Sequence, residues 1–211
     1  MPDTLDATRG YSGLNVVFDL GGVLLTWNPN GIAASAFDAP HDQALAFERV
    51  FGHPDWVELD RGTLPVAEAV ERAARRTGLD ESKLTALFDA VPRFLQPMLP
   101  SLDLVTAVRE AGHRPFVLSN LHRASLAHVD SAYRIFDLFD GRVVSCEVGA
   151  CKPEPLIYEF LLESFALDPL ETVFIDDMQA KLDAAAAFGI RTVRFADVGS
   201  CRAELQSLGC I

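Results

Sequence analysis

Thr-Val-Phe-Ile-Asp-Asp, at residues 172–177, is the segment that indicates the fold of this chain most clearly. An apolar run followed by two adjacent acids is typical of a buried strand that ends at a polar site. Residues 15–19, Asn-Val-Val-Phe-Asp, repeat this form and end in Asp19. In open α/β sheets, ligands bind at the edge formed by the carboxyl ends of the strands. The two stretches therefore predict a metal site at that edge, formed by the carboxylates of Asp19, Asp176 and Asp177.

Two more predicted strands end in groups that suit a phosphate ligand. Residues 116–118, Phe-Val-Leu, are followed by Ser119 and Asn120, and the short strand predicted at 142–145 is followed by Lys152. A hydroxyl, an amide and an ammonium can each donate hydrogen bonds to phosphoryl oxygens. We therefore expect a phosphate-binding site beside the predicted metal site.

Helical and strand patterns alternate along the second half of the chain. After strand 15–19, the sequence predicts helices at 101–112, 123–138, 155–164, 179–188 and 200–208, and strands at 115–119, 142–145, 172–176 and 190–195. Such alternation is produced by parallel strands joined by right-handed crossovers. The predicted fold class is α/β, a Rossmann-like parallel sheet of about five strands.

The segment between the first strand and residue 98 has a different pattern. From Asn30 to about Pro97, apolar residues recur at helical spacing and no strand pattern is found. This pattern predicts an all-helical cap subdomain, inserted after the first strand through hinges that contain prolines. The predicted domains are a flexible leader at 1–13, a core at 14–26 and 98–211, and a cap at 27–97.

Composition limits the possible classes of function. The chain has 211 residues, 49% of them hydrophobic, and a net charge of −12. It can bury a full core, but it would repel nucleic acid and anionic lipid. The predicted partner is a small phosphorylated metabolite, and the oligomeric state is left open.

We find neither a signal-peptide core nor a long apolar run, which predicts a cytoplasmic protein. The four cysteines lack zinc-site spacing and are predicted to be reduced thiols.

Four short motifs, in this order and each after a predicted strand, carry a family resemblance. They are Asp-Leu-Gly-Gly at 19–22, Ser-Asn at 119–120, Lys-Pro at 152–153 and Asp-Asp at 176–177. Together they resemble the four motifs of the haloacid-dehalogenase-like hydrolase superfamily, and the inserted helical segment resembles the cap of its subfamily I. The resemblance covers residues 15 to 196.

The resemblance implies a role for each motif. Asp19 is the implied nucleophile, which forms an aspartyl-phosphate, and Ser119 and Lys152 are the other implied catalytic residues. Ser119 and Asn120 would bind phosphoryl oxygens, while Lys152 would neutralise charge that develops during transfer. The implied cofactor is Mg²⁺, a hard ion suited to oxygen ligands. Its implied ligands are the carboxylates of Asp19, Asp176 and Asp177 and the main-chain oxygen of Gly21.

One position departs from the commonest pattern of the superfamily. Its phosphatases usually carry a second aspartate two residues after the nucleophile, which protonates the leaving oxygen, and here that residue is Gly21. A similar subgroup that includes bacterial α-D-glucose-1-phosphate phosphatases also has glycine there. Because an anomeric phosphate has a good leaving group, we expect a small sugar phosphate as substrate, with anomeric phosphates preferred. His122 and Asp60 are candidates for the missing acid.

Further substrate contacts are predicted in the loop after the nucleophile and in the cap. Gly21 and Gly22 allow the backbone to curl beneath an anion and to offer amide hydrogens to it. The indole of Trp27 could stack on a sugar ring, and Arg61 in the cap could hydrogen-bond to it. Trp56 and Asp60 belong to the same aromatic and polar cluster.

Two alternatives to a phosphatase stay open. A 2-haloacid dehalogenase shares the fold, the nucleophile and the Ser-Asn and Lys-Pro motifs, and also lacks the second aspartate. Dehalogenases, however, need no metal and carry a Ser-Ser-Asn-type last motif, where this chain has Asp176 and Asp177. The other alternative is a non-catalytic protein that holds a phosphorylated ligand or keeps the fold for a surface role.

Overall fold

A five-stranded parallel sheet forms the centre of the protein in a computed structural model that describes residues 13–211. The strands are β1 (Asn15–Phe18), β2 (Arg114–Ser119), β3 (Gly141–Val144), β4 (Thr172–Asp176) and β5 (Arg191–Arg194). Their order in the sheet is β3-β2-β1-β4-β5, and every neighbouring pair is parallel. The predicted α/β fold with a parallel sheet of about five strands is confirmed.

The sheet is buried on both faces, which explains why its strands read as continuous apolar runs. In β1, Val16 and Phe18 pack into one hydrophobic cluster, whereas Val17 packs into another. Neighbouring residues of β4 alternate in the same way, with Ile175 in the first cluster and Phe174 in the second. Successive side chains of a strand point to opposite faces, so two apolar layers cover the sheet.

Eleven α-helices lie in the described part of the chain. Those of the inserted segment are α1 (Pro29–Ala36), α2 (Pro40–Ala46), α3 (Pro54–Arg61), α4 (Val66–Thr77) and α5 (Glu81–Phe94), with a π-helical turn at Phe47–Phe51. Those that accompany the sheet are α6 (Leu99–Glu110), α7 (Arg123–Tyr133), α8 (Ser145–Val148), α9 (Pro155–Ser164), α10 (Gln179–Ala186) and α11 (Val198–Ser207). Short 3₁₀ turns occupy Ile135–Leu138 and Pro169–Glu171.

The inserted segment has a hydrophobic core of its own. All buried members of this third cluster lie between Ile32 and Val91, and none belongs to the two layers on the sheet. The predicted inserted all-helical cap is confirmed, while its bounds of 27–97 stay a prediction. Most of the predicted leader at 1–13 lies outside the described residues.

Several element boundaries differ from the sequence-based prediction. The first helix after the cap begins at Leu99 instead of Ser101, because Pro100 is tolerated in the first turn of a helix. The helical stretch predicted at 123–138 is interrupted at Arg134, whose φ of 50° is left-handed and ends α7. The last helix begins at Val198, where the side chain of Asp197 accepts a hydrogen bond from the Ser200 N–H and caps it.

Two other expectations concern the environment of the chain. In the described residues, no helix is both long enough and apolar enough to cross a bilayer. The four cysteines, Cys146, Cys151, Cys201 and Cys210, are buried and unpaired, which agrees with the prediction of reduced thiols.

Candidate active site

The register of the central strands brings the predicted nucleophile and acidic pair together. Phe18 pairs with Ile175, so that Asp19 and Asp176 leave adjacent strands at the same level of the sheet. The backbone N–H of Asp19 donates to the carbonyl of Ile175 at 3.0 Å, which extends the ladder by one step. Both carboxylates are buried, with 2% and 0% of the residue exposed.

The carboxylate of Asp19 is held at both oxygens. Its Oδ1 accepts hydrogen bonds from the Ser119 hydroxyl at 2.8 Å and from the Leu20 N–H at 2.7 Å. Its Oδ2 lies 3.0 Å from Nζ of Lys152 and 3.1 Å from Nζ of Lys181. Burial acts to raise the pKa of Asp19, but the charges of Lys152 and Lys181 outweigh it and hold the pKa well below its usual range. Asp19 is therefore a fixed, ionised carboxylate.

Lys152 connects the nucleophile to the acidic pair. Its side chain is fully buried, and its ammonium contacts the Leu118 carbonyl at 2.7 Å and Oδ2 of Asp176 at 2.7 Å, in addition to Asp19. Burial lowers the pKa of Lys152, whereas the two carboxylates act in the opposite direction. A buried ammonium that contacts two carboxylates and a carbonyl has its hydrogen-bonding capacity satisfied.

Lys181 is a site residue that the sequence analysis missed. It lies in α10, and its ammonium also reaches Oδ1 of Asp176 at 3.5 Å. Burial acts to lower its pKa, but Asp19, Asp176 and Asp177 together raise it, so the ammonium stays charged. One sequence signal could have identified it. The chain has only three lysines, at 83, 152 and 181, and two of them lie in this site.

Three carboxylates of the site lie close enough together to hold a divalent cation. Asp19, Asp176 and Asp177 each offer one oxygen, and these atoms lie within 4.8 Å of one another. Burial raises the pKa of Asp176, and the charge of Asp19 acts in the same direction, which is the effect expected when buried carboxylates crowd together. A set of three carboxylates suits a hard ion such as Mg²⁺. The ammonium of Lys181 contacts two of the same carboxylates.

The side chain of Asn120 forms two hydrogen bonds with the backbone of Lys152. Its Nδ2 donates to the Lys152 carbonyl at 2.9 Å, and its Oδ1 accepts from the Lys152 N–H at 2.8 Å. This reciprocal pair fixes the backbone from which the Lys152 side chain extends. Asn120 also lines the cavity above the site, and its contact with a phosphoryl oxygen stays a prediction.

The two glycines after the nucleophile differ in their surroundings. Gly21 lines the cavity, whereas the Gly22 N–H donates to the Leu25 carbonyl at 2.8 Å and is therefore not offered to an anion. Gly22 has φ +81°, and a Cβ built there would lie 2.8 Å from Oδ2 of Asp177. Glycine at this position thus leaves room for the Asp177 carboxylate.

A cavity of about 390 Å³ lies over these groups, between the sheet edge and the cap. Its polar lining includes Asp19, Asp60, Lys152, Asp177 and Lys181. Its apolar lining is larger and comes mostly from the cap and hinge: Trp27, Phe51, Trp56, Val57, Val91, Leu95, Leu121 and Met178. A wider depression of about 650 Å³ at the hinge shares Trp27 but none of the carboxylates of the site, so we place the site in the smaller cavity.

Three aromatic residues, Trp27, Phe51 and Trp56, form what we call the aromatic wall of this cavity. Their ring centroids are 4.8 to 5.8 Å apart, within the range of favourable aromatic pairs. Trp27 is 38% exposed and keeps an accessible face. The structure therefore brings the predicted Trp27 to the cavity.

Arg61, by contrast, does not line this cavity in the described structure. Its guanidinium forms a two-point ion pair with Glu154 at 2.6 and 2.5 Å, and its Nε lies 3.3 Å from Glu58. Because Glu154 immediately precedes α9 of the core, the structure places Arg61 at the contact between cap and core. Its predicted contact with substrate stays a prediction.

A Rossmann-like sheet with buried carboxylates at its carboxyl edge, covered by a helical cap, defines the class of a capped α/β hydrolase. The chain belongs to the haloacid dehalogenase-like hydrolases, whose family model matches residues 15–189. The resemblance noted in the sequence is thereby confirmed.

Proteins similar to this chain include named phosphatases. The chain is 26% identical to the sesquiterpene phosphatase astK of Aspergillus oryzae, over 92% of this chain and 96% of that protein. It is 25% identical to a D-ribitol-5-phosphate phosphatase of Bacteroides thetaiotaomicron, over 90% and 96%. A crystal structure of a family enzyme from the same bacterium, a magnesium complex, superposes with a TM-score of 0.67 at 26% identity over 87% and 93%. Other relatives are longer, and the chain spans 19–38% of their length.

Proposed function

We propose that this hydrolase is a Mg²⁺-dependent phosphatase that cleaves a phosphomonoester through an aspartyl-phosphate on Asp19. The observation that carries the proposal is the set of four contacts to the Asp19 carboxylate. Two are hydrogen bonds from the Ser119 hydroxyl and the Leu20 N–H, and two are ion pairs with Lys152 and Lys181. A carboxylate attacks phosphorus only when it is ionised and aimed, and these contacts provide both conditions. Asp19 also lines the cavity, where a substrate can reach it.

The reaction follows from the positions of the side chains. An oxygen of Asp19 forms a bond to phosphorus while the bond from phosphorus to the organic oxygen breaks. Water then attacks the aspartyl-phosphate, which releases inorganic phosphate and restores the carboxylate. Lys152 and Lys181 offset the negative charge of the phosphoryl group, and Ser119 keeps the nucleophile oriented.

Mg²⁺ is the cofactor that we propose, on the basis of the three carboxylates and the magnesium complex of the related structure. Asp19, Asp176 and Asp177 would hold it, together with the main-chain oxygen of Gly21. When bound, it supplies positive charge that screens the nucleophile from the dianionic substrate. Three carboxylates and two ammonium groups leave one net negative charge at the site, which a bound cation would offset.

The aromatic wall bears on the identity of the substrate. It could stack on the apolar face of a sugar ring, as the predicted anomeric sugar phosphate requires, or pack against a hydrocarbon chain. The apolar majority of the cavity lining favours an organic group with extensive apolar surface. The sesquiterpene phosphatase among the relatives supports that choice, and the ribitol-phosphate enzyme supports a small polyol.

Release of inorganic phosphate, measured with added Mg²⁺ and after chelation, tests this function. The panel contains an isoprenoid phosphate, an anomeric sugar phosphate, a 6-phosphate sugar and a linear polyol phosphate. We expect Mg²⁺-dependent release that is lost in Asp19→Asn, while the matched change Asp103→Asn, at an exposed position of α6, keeps the wild-type rate. Retention of most activity in Asp19→Asn would show that Asp19 is not the nucleophile.

The same panel decides between the alternatives. Chloride release from 2-chloropropionate without phosphate release would identify a dehalogenase. The three carboxylates at the site argue against that outcome, because they repel a halocarboxylate anion. Binding of phosphorylated compounds without turnover would identify a non-catalytic protein.

A further inference from the structure

The phosphatase mechanism needs a proton donor that the nucleophile loop does not supply. In the first step the leaving oxygen gains a negative charge, and in the second step a water molecule must lose a proton. Gly21 has no side chain to perform either task. The donor must therefore come from another element that lines the cavity of Asp19.

Asp60 occupies the position that such a group requires. It lies in the last turn of α3, in the cap, and lines the same cavity as Asp19, Lys152 and Lys181. Its backbone is anchored to the core, because the Ser145 hydroxyl donates to the Asp60 carbonyl at 2.6 Å. Asp60 thus contributes to this cavity from the cap, whereas Asp19 contributes to it from the sheet edge.

The surroundings of Asp60 raise the pKa of its carboxyl group. Burial raises the pKa of Asp60 to about 7. The charge of Asp19 also raises this pKa, whereas the charge of Lys181 lowers it. The His122 backbone N–H and the Trp56 indole also interact with its carboxyl group. An acid with a pKa close to the working pH can both donate and accept a proton in one catalytic cycle.

The other ionisable groups of the cavity are unsuited to this role. The two ring nitrogens of His122 both face Ser125, with Nε2 2.8 Å from its hydroxyl and Nδ1 3.4 Å from its N–H. Burial lowers the pKa of His122 to about 4, so the ring is neutral at pH 7. Lys152 and Lys181 are engaged by the carboxylates of the site.

We propose that Asp60 is the general acid and base of the reaction, supplied by the cap. This inference rests on the proposed phosphatase function. Protonated Asp60 gives its proton to the leaving oxygen as the bond from that oxygen to phosphorus breaks and the bond from Asp19 to phosphorus forms. The Asp60 carboxylate then accepts a proton from the water that attacks the aspartyl-phosphate. Free phosphate leaves, and Asp19 and Asp60 return to their starting states.

This assignment links proton donation to the position of the cap. The nucleophile belongs to the core and the acid to the cap, so the two meet only when the cap lies over the sheet edge as it does here. With glycine at position 21, the catalytic groups are then complete only in this arrangement, in which the cap covers the cavity.

Single-turnover kinetics of Asp60→Asn test the proposal. With 4-nitrophenyl phosphate, whose leaving group needs no proton, we expect a burst of nitrophenolate at a rate within about tenfold of wild type, followed by slow turnover. With an alkyl phosphate, we expect the transfer step to slow by about 100-fold or more. Asp89→Asn, at an exposed position of cap helix α5, is the matched control and should behave as wild type with both esters.

The outcomes separate this inference from the proposed function. Equal losses with both esters, or no loss with either, in a folded Asp60→Asn protein would overturn the role of Asp60 while leaving a phosphatase in place. A wild-type protein that releases phosphate from none of the esters would contradict the proposed function itself. If Asp60→Asn does not fold, the wild type decides: a steep dependence of its transfer rate on leaving-group basicity shows that no acid operates.

Discussion

The ammonium of Lys181 lies 3.1 Å from Oδ2 of Asp19, so a helix of the protein itself places a positive charge on the nucleophile. The same ammonium reaches Asp176 at 3.5 Å. These carboxylates are two of the three that a divalent cation would use. The Lys181 ammonium and a bound cation therefore compete for the same carboxylates and repel each other.

The first prediction is that Lys181→Met binds Mg²⁺ more tightly than wild type. A unit charge at about 4 Å contributes ~1 to 4 kcal/mol, depending on the local dielectric, so we expect a decrease in Kd of about tenfold. Calorimetric titration of Mg²⁺ into the substrate-free protein measures it. Lys83→Met, which removes an exposed cap lysine 3.5 Å from Asp38, should leave Kd unchanged. An unchanged or weaker Kd in Lys181→Met would contradict the competition.

The second prediction concerns Gly22, which leaves room for Asp177. Gly22→Ala and Gly78→Ala both place alanine at a positive φ, of +81° and +72°, but only at Gly22 would the new Cβ meet a neighbour within 4 Å. Each change should lower the free energy of unfolding by about 1 to 2 kcal/mol. Only Gly22→Ala should also weaken Mg²⁺ binding, because it displaces the Asp177 carboxylate. Denaturant unfolding and Mg²⁺ titration of both variants check this, and equal Mg²⁺ affinities would refute the role of Gly22.

The third prediction is that Arg61 acts through Glu154 and not through substrate. Arg61→Met and Glu154→Gln should change kcat/KM by similar factors, and the double variant should add little to either. Since the side chains are 21% and 38% exposed, the coupling between them should be modest, about 1 kcal/mol or less. A double-mutant cycle on kcat/KM measures it. A large loss in Arg61→Met alone, with Glu154→Gln close to wild type, would restore Arg61 as a substrate ligand.

The fourth prediction is a loss of activity on alkyl phosphates as pH rises through about 7. Asp60 must be protonated to start the reaction, and its pKa is about 7, so kcat/KM should fall above that pH. The charges of Asp19 and Lys181 act on Asp60, the His122 backbone N–H bonds to it, and its own charge acts on the thiols of Cys146 and Cys151. Burial lowers the pKa of His122 to about 4 and raises the pKa of Cys151 to about 12, both well away from neutrality.

The pH profile of Asp60→Asn is the control for this effect. The fall near pH 7 should be absent from that variant, and the single-turnover burst with 4-nitrophenyl phosphate should lack it in the wild type as well. Asp176, whose pKa is also raised, is intact in Asp60→Asn. A fall that persists there would therefore belong to the acidic pair and not to Asp60.

Much of the fold could be predicted from local pattern. The apolar strands β1 and β4 could be recognised because a parallel strand buried on both faces requires apolar side chains at consecutive positions. Their terminal acids, Asp19 and Asp176, could be placed side by side because parallel strands align their carboxyl ends. Helix boundaries were less predictable, as at Leu99, because a proline such as Pro100 marks a break in the pattern but is tolerated in the first turn of a helix.

From the sequence by local pattern come the groups that end or directly follow a strand at the carboxyl edge of the sheet: Asp19, Ser119, Asn120, Asp176 and Asp177. Which groups of the site touch depends on the tertiary structure. Lys181 contacts Asp19, which is 162 positions away in the chain, and Arg61 contacts Glu154, which is 93 positions away. Such pairs are set by how α10 packs on the sheet and how the cap sits on the core. Periodicity extends over one element and carries no information about partners so distant in sequence.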